Sequence, residues 1–344
     1  MNIPSWQKTG QFDTIMVSKK DLPMVNFIFI FPFGADRDPI EKQGLTNMTG
    51  DLLLRGCKSM NRIQIEDRLD ELGGSLNIYT GFHSVSIEGQ ILKRNFPSMI
   101  EIVQEILSAS TFAESQLEDL RNETIAQLQL RLDDDQGLAK TAFNNHLFQD
   151  HVYSREIVGN AKTLHNITSD DVKEHFKKYF TLDRIKIGFS GDVSNAMIDL
   201  SILALSKSLP EKTIPDPIQP VSVQCTGKTL IFVDKPERSQ THFYIGHPTQ
   251  GLQVPHAYDF LVFKTAFAGS LFQAKYMQEI RVKRGWSYGA YGSSDHRKLA
   301  STFYLYTFPK NEDTANAIET SLKLYQQAQA GTLVEQADID FAKN

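Results

Sequence analysis

Asn47 and Asp51 stand four positions apart in the stretch Gly44-Leu45-Thr46-Asn47-Met48-Thr49-Gly50-Asp51-Leu52-Leu53-Leu54-Arg55-Gly56. The stretch reads as an amphipathic helix, so these two side chains stack on one face about one turn apart. Their spacing is that of the two histidines in the inverted zinc motif H-x-x-E-H, in which a glutamate between them serves as general base. Here the three positions hold Asn47, Gly50 and Asp51: an amide, no side chain, and one carboxylate. Oxygen donors with a single formal charge suit Zn²⁺ poorly compared with imidazole or thiolate sets. Gly50 leaves no group to deprotonate a metal-bound water. A hard cation such as Mg²⁺ would be held weakly by such a face, and the plain alternative is a polar helix face lining a cleft.

A second group lies in Arg281-Val282-Lys283-Arg284-Gly285-Trp286-Ser287-Tyr288, where Arg281 and Tyr288 are seven apart. Gly285 is suited to end a helix with a positive φ, which puts Arg281 in the last turn and Tyr288 at the start of the next strand. A guanidinium fork and a phenol are strong donors toward a peptide carbonyl and toward the negative charge that grows on it during attack. Two readings stand at this point: that one, and a structural one. In the structural reading Arg281, Lys283 and Arg284 complement the helix C-terminal dipole and Tyr288 is a half-buried strand residue.

No other chemistry is spelled out. The nine histidines contain no pair four apart; His146/His151 and His242/His247 are five apart, and on a strand the latter two point to opposite faces. There is no G-x-S-x-G elbow and no glycine-rich phosphate loop. Cys57 lies beside Arg55 and Lys58 with no histidine near it in sequence, and Cys225 falls in the other half, so isolated thiols are expected rather than a disulfide framework.

These groups must be positioned by the elements around them. With 344 residues, 41% hydrophobic and 22% charged, the chain has the composition of a soluble globular protein long enough for two cores. A net charge of −5 gives no reason to expect nucleic acid or an acidic membrane surface as partner. The apolar run Phe27 to Phe33 is too short to span a bilayer and reads as a buried strand. The opening Met1-Asn2-Ile3-Pro4-Ser5-Trp6 has neither the basic start nor the apolar core of a signal peptide. That leaves the cytoplasm, or the periplasm for a mature form whose leader was removed.

Pro210, Pro215, Pro217 and Pro220 mark a linker before an expected strand at Thr229–Asp234. On either side a pattern repeats. In the first half a strand (Val25–Phe31) is followed by helices Gly44–Arg55 and Ile63–Leu72, then strands within Ser75–Ile91. In the second half a strand (Thr241–Gly246) is followed by helices Ala257–Ala268 and Leu271–Lys283, then strands within Ser287–Phe308. Setting Gly74 against Gly285 aligns the halves. The expected fold is α+β, two copies of one unit, each a mostly antiparallel sheet carrying helices on one face. The domains are 1–207, a proline-rich linker 208–224, and 225–344; the second copy reads as truncated, with no counterpart of Ile167–Val193.

Order and spacing of several pieces make the chain similar to the pitrilysin/insulinase family of zinc peptidases. Leu22-Pro23-Met24-Val25 and Gly34-Ala35-Asp36-Arg37-Asp38 resemble its opening strand and turn, and Glu71-Leu72-Gly73-Gly74-Ser75-Leu76-Asn77 resembles its next helix end. Phe148-Gln149-Asp150-His151-Val152-Tyr153, Ile167-Thr168-Ser169-Asp170-Asp171-Val172 and Gly191-Asp192-Val193 continue the match. The resemblance implies a clamshell half built of two such domains. It implies a third zinc ligand about 76 residues after the motif, which here is Gln127, with Glu123 one turn earlier as the nearest carboxylate. It also implies that Arg281 and Tyr288 contact the substrate backbone from the second domain; Gln273 and Ala274 replace the Ser-Arg of many relatives. Some bacterial members divide the labour between a chain with H-x-x-E-H and a chain with the Arg/Tyr pair. The expectation is the second kind: a non-zinc subunit of a heterodimeric metallopeptidase, inactive alone. It would hold no cofactor itself, with zinc in a homologous partner and peptide as substrate. The rival expectation is a catalytically inactive scaffold or peptide-binding protein of the same fold.

Overall fold

The computed structural model describes residues 4–214, 227–249 and 254–343. The linker expected at 208–224 therefore lies largely outside the described residues, as does Cys225. The chain divides into two compact units, Met1–Gln129 with Arg155–Ile218, and Leu130–Ser154 with Gln219–Asn344.

The first unit is built on strands β1 (Gln7–Thr9), β2 (Phe12–Ser18), β3 (Met24–Phe31), β4 (Ser75–Thr80), β5 (Val85–Leu92) and β6 (Lys186–Gly191), in the order β1-β2-β6-β3-β5-β4. All pairs are antiparallel except β2 with β6. The late strand β6 inserts between the two early ones, closing the sheet with a segment distant in sequence. In β3 the alternation is clean: Val25, Phe27, Phe29 and Phe31 are buried while Asn26, Ile28 and Ile30 are only partly so. The buried face packs on helices. Phe27 meets Phe96 edge-on at 6.0 Å and Phe189 at 6.5 Å, and Phe31 meets Phe180 at 5.1 Å. The helices are α1 (Leu45–Leu52), α2 (Arg62–Leu72), α3 (Phe96–Ala109), α4 (Glu114–Arg131), α6 (Ala161–His165), α7 (Ser169–Tyr179) and α8 (Asn195–Ser208), with α5 (Asp135–Leu147) falling in the other unit.

The second unit has a three-stranded antiparallel sheet, β7 (Phe243–Thr249), β9 (Ser301–Thr307) and β8 (Ala290–His296), in that order, with helices α9 (Ala257–Ala268), α10 (Lys275–Met277), α11 (Thr314–Gln329) and α12 (Gln336–Lys343). Its order β7-β9-β8 repeats β3-β5-β4, as the two-copy reading expects. The helix of α5 packs on it: Phe143 stacks on Tyr244 at 5.9 Å, and Lys140 lies 3.3 Å from the centre of the Tyr304 ring while pairing with Asp295 at 2.8 Å. Residues 130–154, inside the sequence-read domain 1–207, thus belong to the second compact unit.

Three local expectations need correction. Thr229–Asp234 joins no sheet among the described residues, and Leu230 and Phe232 are 83% and 77% exposed. In the first unit the matching strand β2 is held by β6, and no counterpart of β6 occurs among the described residues of the second. The helix expected over Leu271–Lys283 begins only at Lys275, because Leu271–Ala274 forms a turn closed by Ala274 N–H donating to Leu271 O at 3.1 Å. It continues as a π-helical turn, Gln278–Lys283. Finally, the glycine equivalent to Gly285 (φ +67°) is Gly73 (φ +62°), which ends α2; Gly74 has ordinary backbone and lies against Ile91 and Met99.

Candidate functional site

The start of α1 is fixed by a buried polar network. Gly44 precedes the helix at φ +99°, a conformation that favours glycine, and a Cβ there would meet Val158 O at 2.7 Å. Asp38, 4% exposed, accepts from Gly44 N–H at 2.9 Å, from Thr46 N–H at 2.9 Å and from the Thr46 hydroxyl at 2.6 Å. Its carboxylate thereby satisfies N–H groups that the first turn leaves without helical partners. Burial pushes the Asp38 carboxyl up to about 7 and holds His175 down to about 3. His175 is thus neutral, and its Nε2 lies 2.9 Å from the Thr46 hydroxyl.

Beyond this anchor the motif face comes into view. Asn47 Nδ2 donates to Asp51 Oδ2 at 2.9 Å, so the two side chains are spent on each other. Burial raises the Asp51 carboxyl to about 6, opposed by the charge of Arg55 and the Asn47 hydrogen bond. Gly50 is buried against β4: an added Cβ would meet Ile78 Cγ2 at 3.2 Å and Thr80 Oγ1 at 3.4 Å. The helix therefore lies closer to the sheet edge than a glutamate at this position permits without movement. Gln127 is exposed on α4 and bonds neither residue.

One turn past Asp51 and one turn before Gln127, a different cross-link joins the same two segments. Arg55 Nη1 donates to Glu123 Oε1 at 3.2 Å, its Nη2 contacts the other carboxylate oxygen, and Arg62 reaches Glu123 at 3.3 Å. The Arg55 hydrogen bond draws the Glu123 carboxyl below its usual range. Glu123, the nearest carboxylate by sequence, is thus engaged by two guanidinium groups. Among the described residues no group of three or more His, Cys, Asp or Glu side chains could hold a metal ion. An amide, one partly buried carboxylate and an exposed amide do not fit Zn²⁺. The Arg55–Glu123 clamp was not read from the sequence; the only signal for it was a basic residue one turn beyond Asp51.

In the second unit, Gly285 donates its N–H to Arg281 O at 3.1 Å and Trp286 N–H reaches Ile280 O at 3.2 Å, closing the π-helical turn as a glycine stop does. Arg281 is in this last turn as expected. Its guanidinium lies 4.5 Å from the centre of the Phe272 ring. The neighbouring cations are used elsewhere: Lys283 bonds Glu279 at 3.1 Å and Arg284 bonds it at 2.9 Å. The Arg281 guanidinium has no hydrogen bond or ion pair among the described residues. Tyr288 precedes β8 and is 80% exposed, so it is not the half-buried strand residue of the structural reading. Phe272 and Glu279 were missed at the sequence level. Their roles depend on a turn and a helix phase that residue types do not declare.

The histidine pair five apart does split between faces: His242 Nδ1 lies 2.7 Å from the Tyr306 hydroxyl, and His247 contacts Tyr325. Among the described residues no helix is long and apolar enough to cross a membrane.

Residues 15–161 match the family model described as insulinase (peptidase family M16), and residues 166–344 match the one described as peptidase M16 inactive domain. The chain is 25% identical to the non-peptidase homolog YmxG of Helicobacter pylori over 81% of its own length and 64% of that protein's. It is 23% identical to an uncharacterized zinc protease of Streptomyces coelicolor over 72% of itself and 55% of that protein. It thus spans between half and two thirds of these relatives. Its fold is similar to the crystal structure of a peptidase M16 inactive domain from Pseudomonas fluorescens, with a TM-score of 0.88 at 20% identity over 99% of this chain and 82% of that one. A protease structure from Helicobacter pylori gives 0.86 at 18% identity, over 99% and 84%. With matches along nearly its whole length, the chain belongs to the insulinase family, peptidase family M16.

Proposed function

We propose that this protein is a non-zinc subunit of a heterodimeric M16 metallopeptidase, inactive alone, that lends Arg281 and Tyr288 to the active site of a homologous, zinc-bearing partner with intact H-x-x-E-H. The observation that carries this reading is the state of the pair. Arg281 is braced on Phe272 while its neighbours satisfy Glu279, which leaves a guanidinium with no carboxylate, and Tyr288 presents its hydroxyl to solvent. A structural arginine would be expected to take the adjacent carboxylate. A fork of free N–H donors with a phenol nearby in sequence is what a developing oxyanion requires.

Co-expression with a zinc-bearing homologue, followed by a peptide-cleavage assay with and without chelator, tests the reading. Arg281→Ala should lower kcat of the reconstituted complex by about 10²-fold or more, the scale of one lost oxyanion donor. Unchanged turnover in that variant would remove the catalytic role. The second reading, an inactive peptide-binding protein, is favoured by a depression on the first sheet that mixes polar side chains with Ile15 and Ile28. There Asn26, Ser75, Asn77, Glu88 and Gln90 line a depression of about 520 Å³ beside the edge strand β4. Peptide binding without any stimulation of a zinc-bearing homologue would select it.

A further inference from the structure

The second sheet carries a cluster of polar groups that the peptidase reading does not use. On its helix-covered face Phe303 packs against Phe260 of α9 at 5.8 Å and against Tyr325 of α11 at 5.9 Å. Ser294 is paired with Phe303, and His296 with Ser301, so all four side chains lie on that face at the end of the β8–β9 hairpin. Ser301 is fully buried. The hydroxyls of Ser294 and Ser301 and both ring nitrogens of His296 are enclosed and have no hydrogen-bond partner among the described residues. Lys264 of α9 stands one turn beyond Phe260 on the same helix face, and its charge, after burial, disfavours protonation of His296. Burial also lowers the pKa of Lys264 itself, whose ammonium makes no ion pair or hydrogen bond among the described residues. The one carboxylate acting on His296 is Asp295, which points to the opposite face and pairs with Lys140 at 2.8 Å.

Buried polar groups are almost always satisfied, so four unpartnered atoms on one patch call for a ligand. The chemistry of that ligand follows from what is unsatisfied. Two hydroxyls, an imidazole N–H and an ammonium can all donate, the other imidazole nitrogen can accept from a protonated phosphate oxygen, and the Lys264 charge pairs with no carboxylate among the described residues. We propose that Lys264, His296, Ser294 and Ser301 form a binding site for a small phosphate-type oxyanion, independent of the Arg281/Tyr288 pair. Lys264 supplies the charge, and the serine hydroxyls and imidazole supply directed hydrogen bonds of the charge-assisted kind.

Titration calorimetry on the whole 344-residue chain with inorganic phosphate, at fixed ionic strength, tests the site. Phenyl phosphate serves as a monoester arm, and acetate and chloride as non-phosphate arms. Saturable binding of phosphate over acetate and chloride is expected. Phenyl phosphate binding as well would identify an esterified ligand, and its exclusion would identify the free ion. Lys264→Met and Ser301→Ala should each weaken phosphate by about tenfold or more, the loss of one charge-assisted bond. Lys298→Met, on the exposed hairpin, should leave it unchanged. If Lys264→Met unfolds the protein, Lys264→Arg must retain binding while Ser301→Ala loses it. No saturable binding to the parent chain, or equal binding in Lys264→Met and Lys298→Met, overturns the proposal.

Discussion

Replacing Asp51 by asparagine examines the electrostatics of the α1 face that carries Asn47 and Asp51. In the folded chain burial raises the Asp51 carboxyl from its ordinary 3.8 to about 6. A shift of about 2 units is about 3 kcal/mol at 1.36 kcal/mol per unit, an upper figure because solvent still reaches part of the side chain. The sign follows from proton counting. Between pH 3.8 and 6 the folded state holds a proton that the unfolded state has released, so stability falls as pH rises through that window and stays low above it. Asparagine has the same shape, still offers an oxygen to the Asn47 amide, and cannot ionise. Asp51→Asn should therefore be up to about 3 kcal/mol more stable than the parent at pH 8, with the difference vanishing near pH 4. The raised Asp38 titrates identically in both proteins and cancels. Urea unfolding at a series of pH values, with m unchanged, reads the difference directly. A pH-independent difference, or an asparagine variant less stable at pH 8, would refute the reasoning.

Other perturbations probe the same region. Gly50→Glu should destabilise by about 1–3 kcal/mol because its Cβ presses on Ile78, and Ile78→Ala should recover part of that loss in a double-mutant cycle of thermal unfolding. Arg55→Met removes the clamp to Glu123 and the cation that tempers Asp51; it should cost about 1–3 kcal/mol and raise the Asp51 pKa, followed by carboxyl NMR titration. Asp38→Ala leaves the Gly44 and Thr46 donors unpaired in a buried setting and should lose about 3 kcal/mol, with hydrogen exchange quickening first along α1.

Much of the architecture was legible because it rests on local regularities. The alternation in β3, the glycine stops near Gly73 and Gly285, and the helix Ala257–Ala268 are written in neighbouring residues. What escaped depends on distant chain. Thr229–Asp234 has the residues of a strand and pairs with no strand among the described residues. Residues 130–154 read as a continuation of the first half, yet Phe143 and Lys140 find their aromatic partners on β7 and β9.

Residue identity alone decides that Asn47, Gly50 and Asp51 offer no imidazole ligand and that Gly50 offers no general base, since no fold can add an imidazole to an amide. It also places Arg281 and Tyr288 on either side of a glycine stop. Tertiary packing decides the rest: that Asp51 is buried enough to keep its proton up to about pH 6, that Glu123 is claimed by Arg55, and that Arg281 is left without a carboxylate among the described residues. Those outcomes are set by desolvation and by which charges meet across elements far apart in the chain, quantities that spacing along a sequence does not contain.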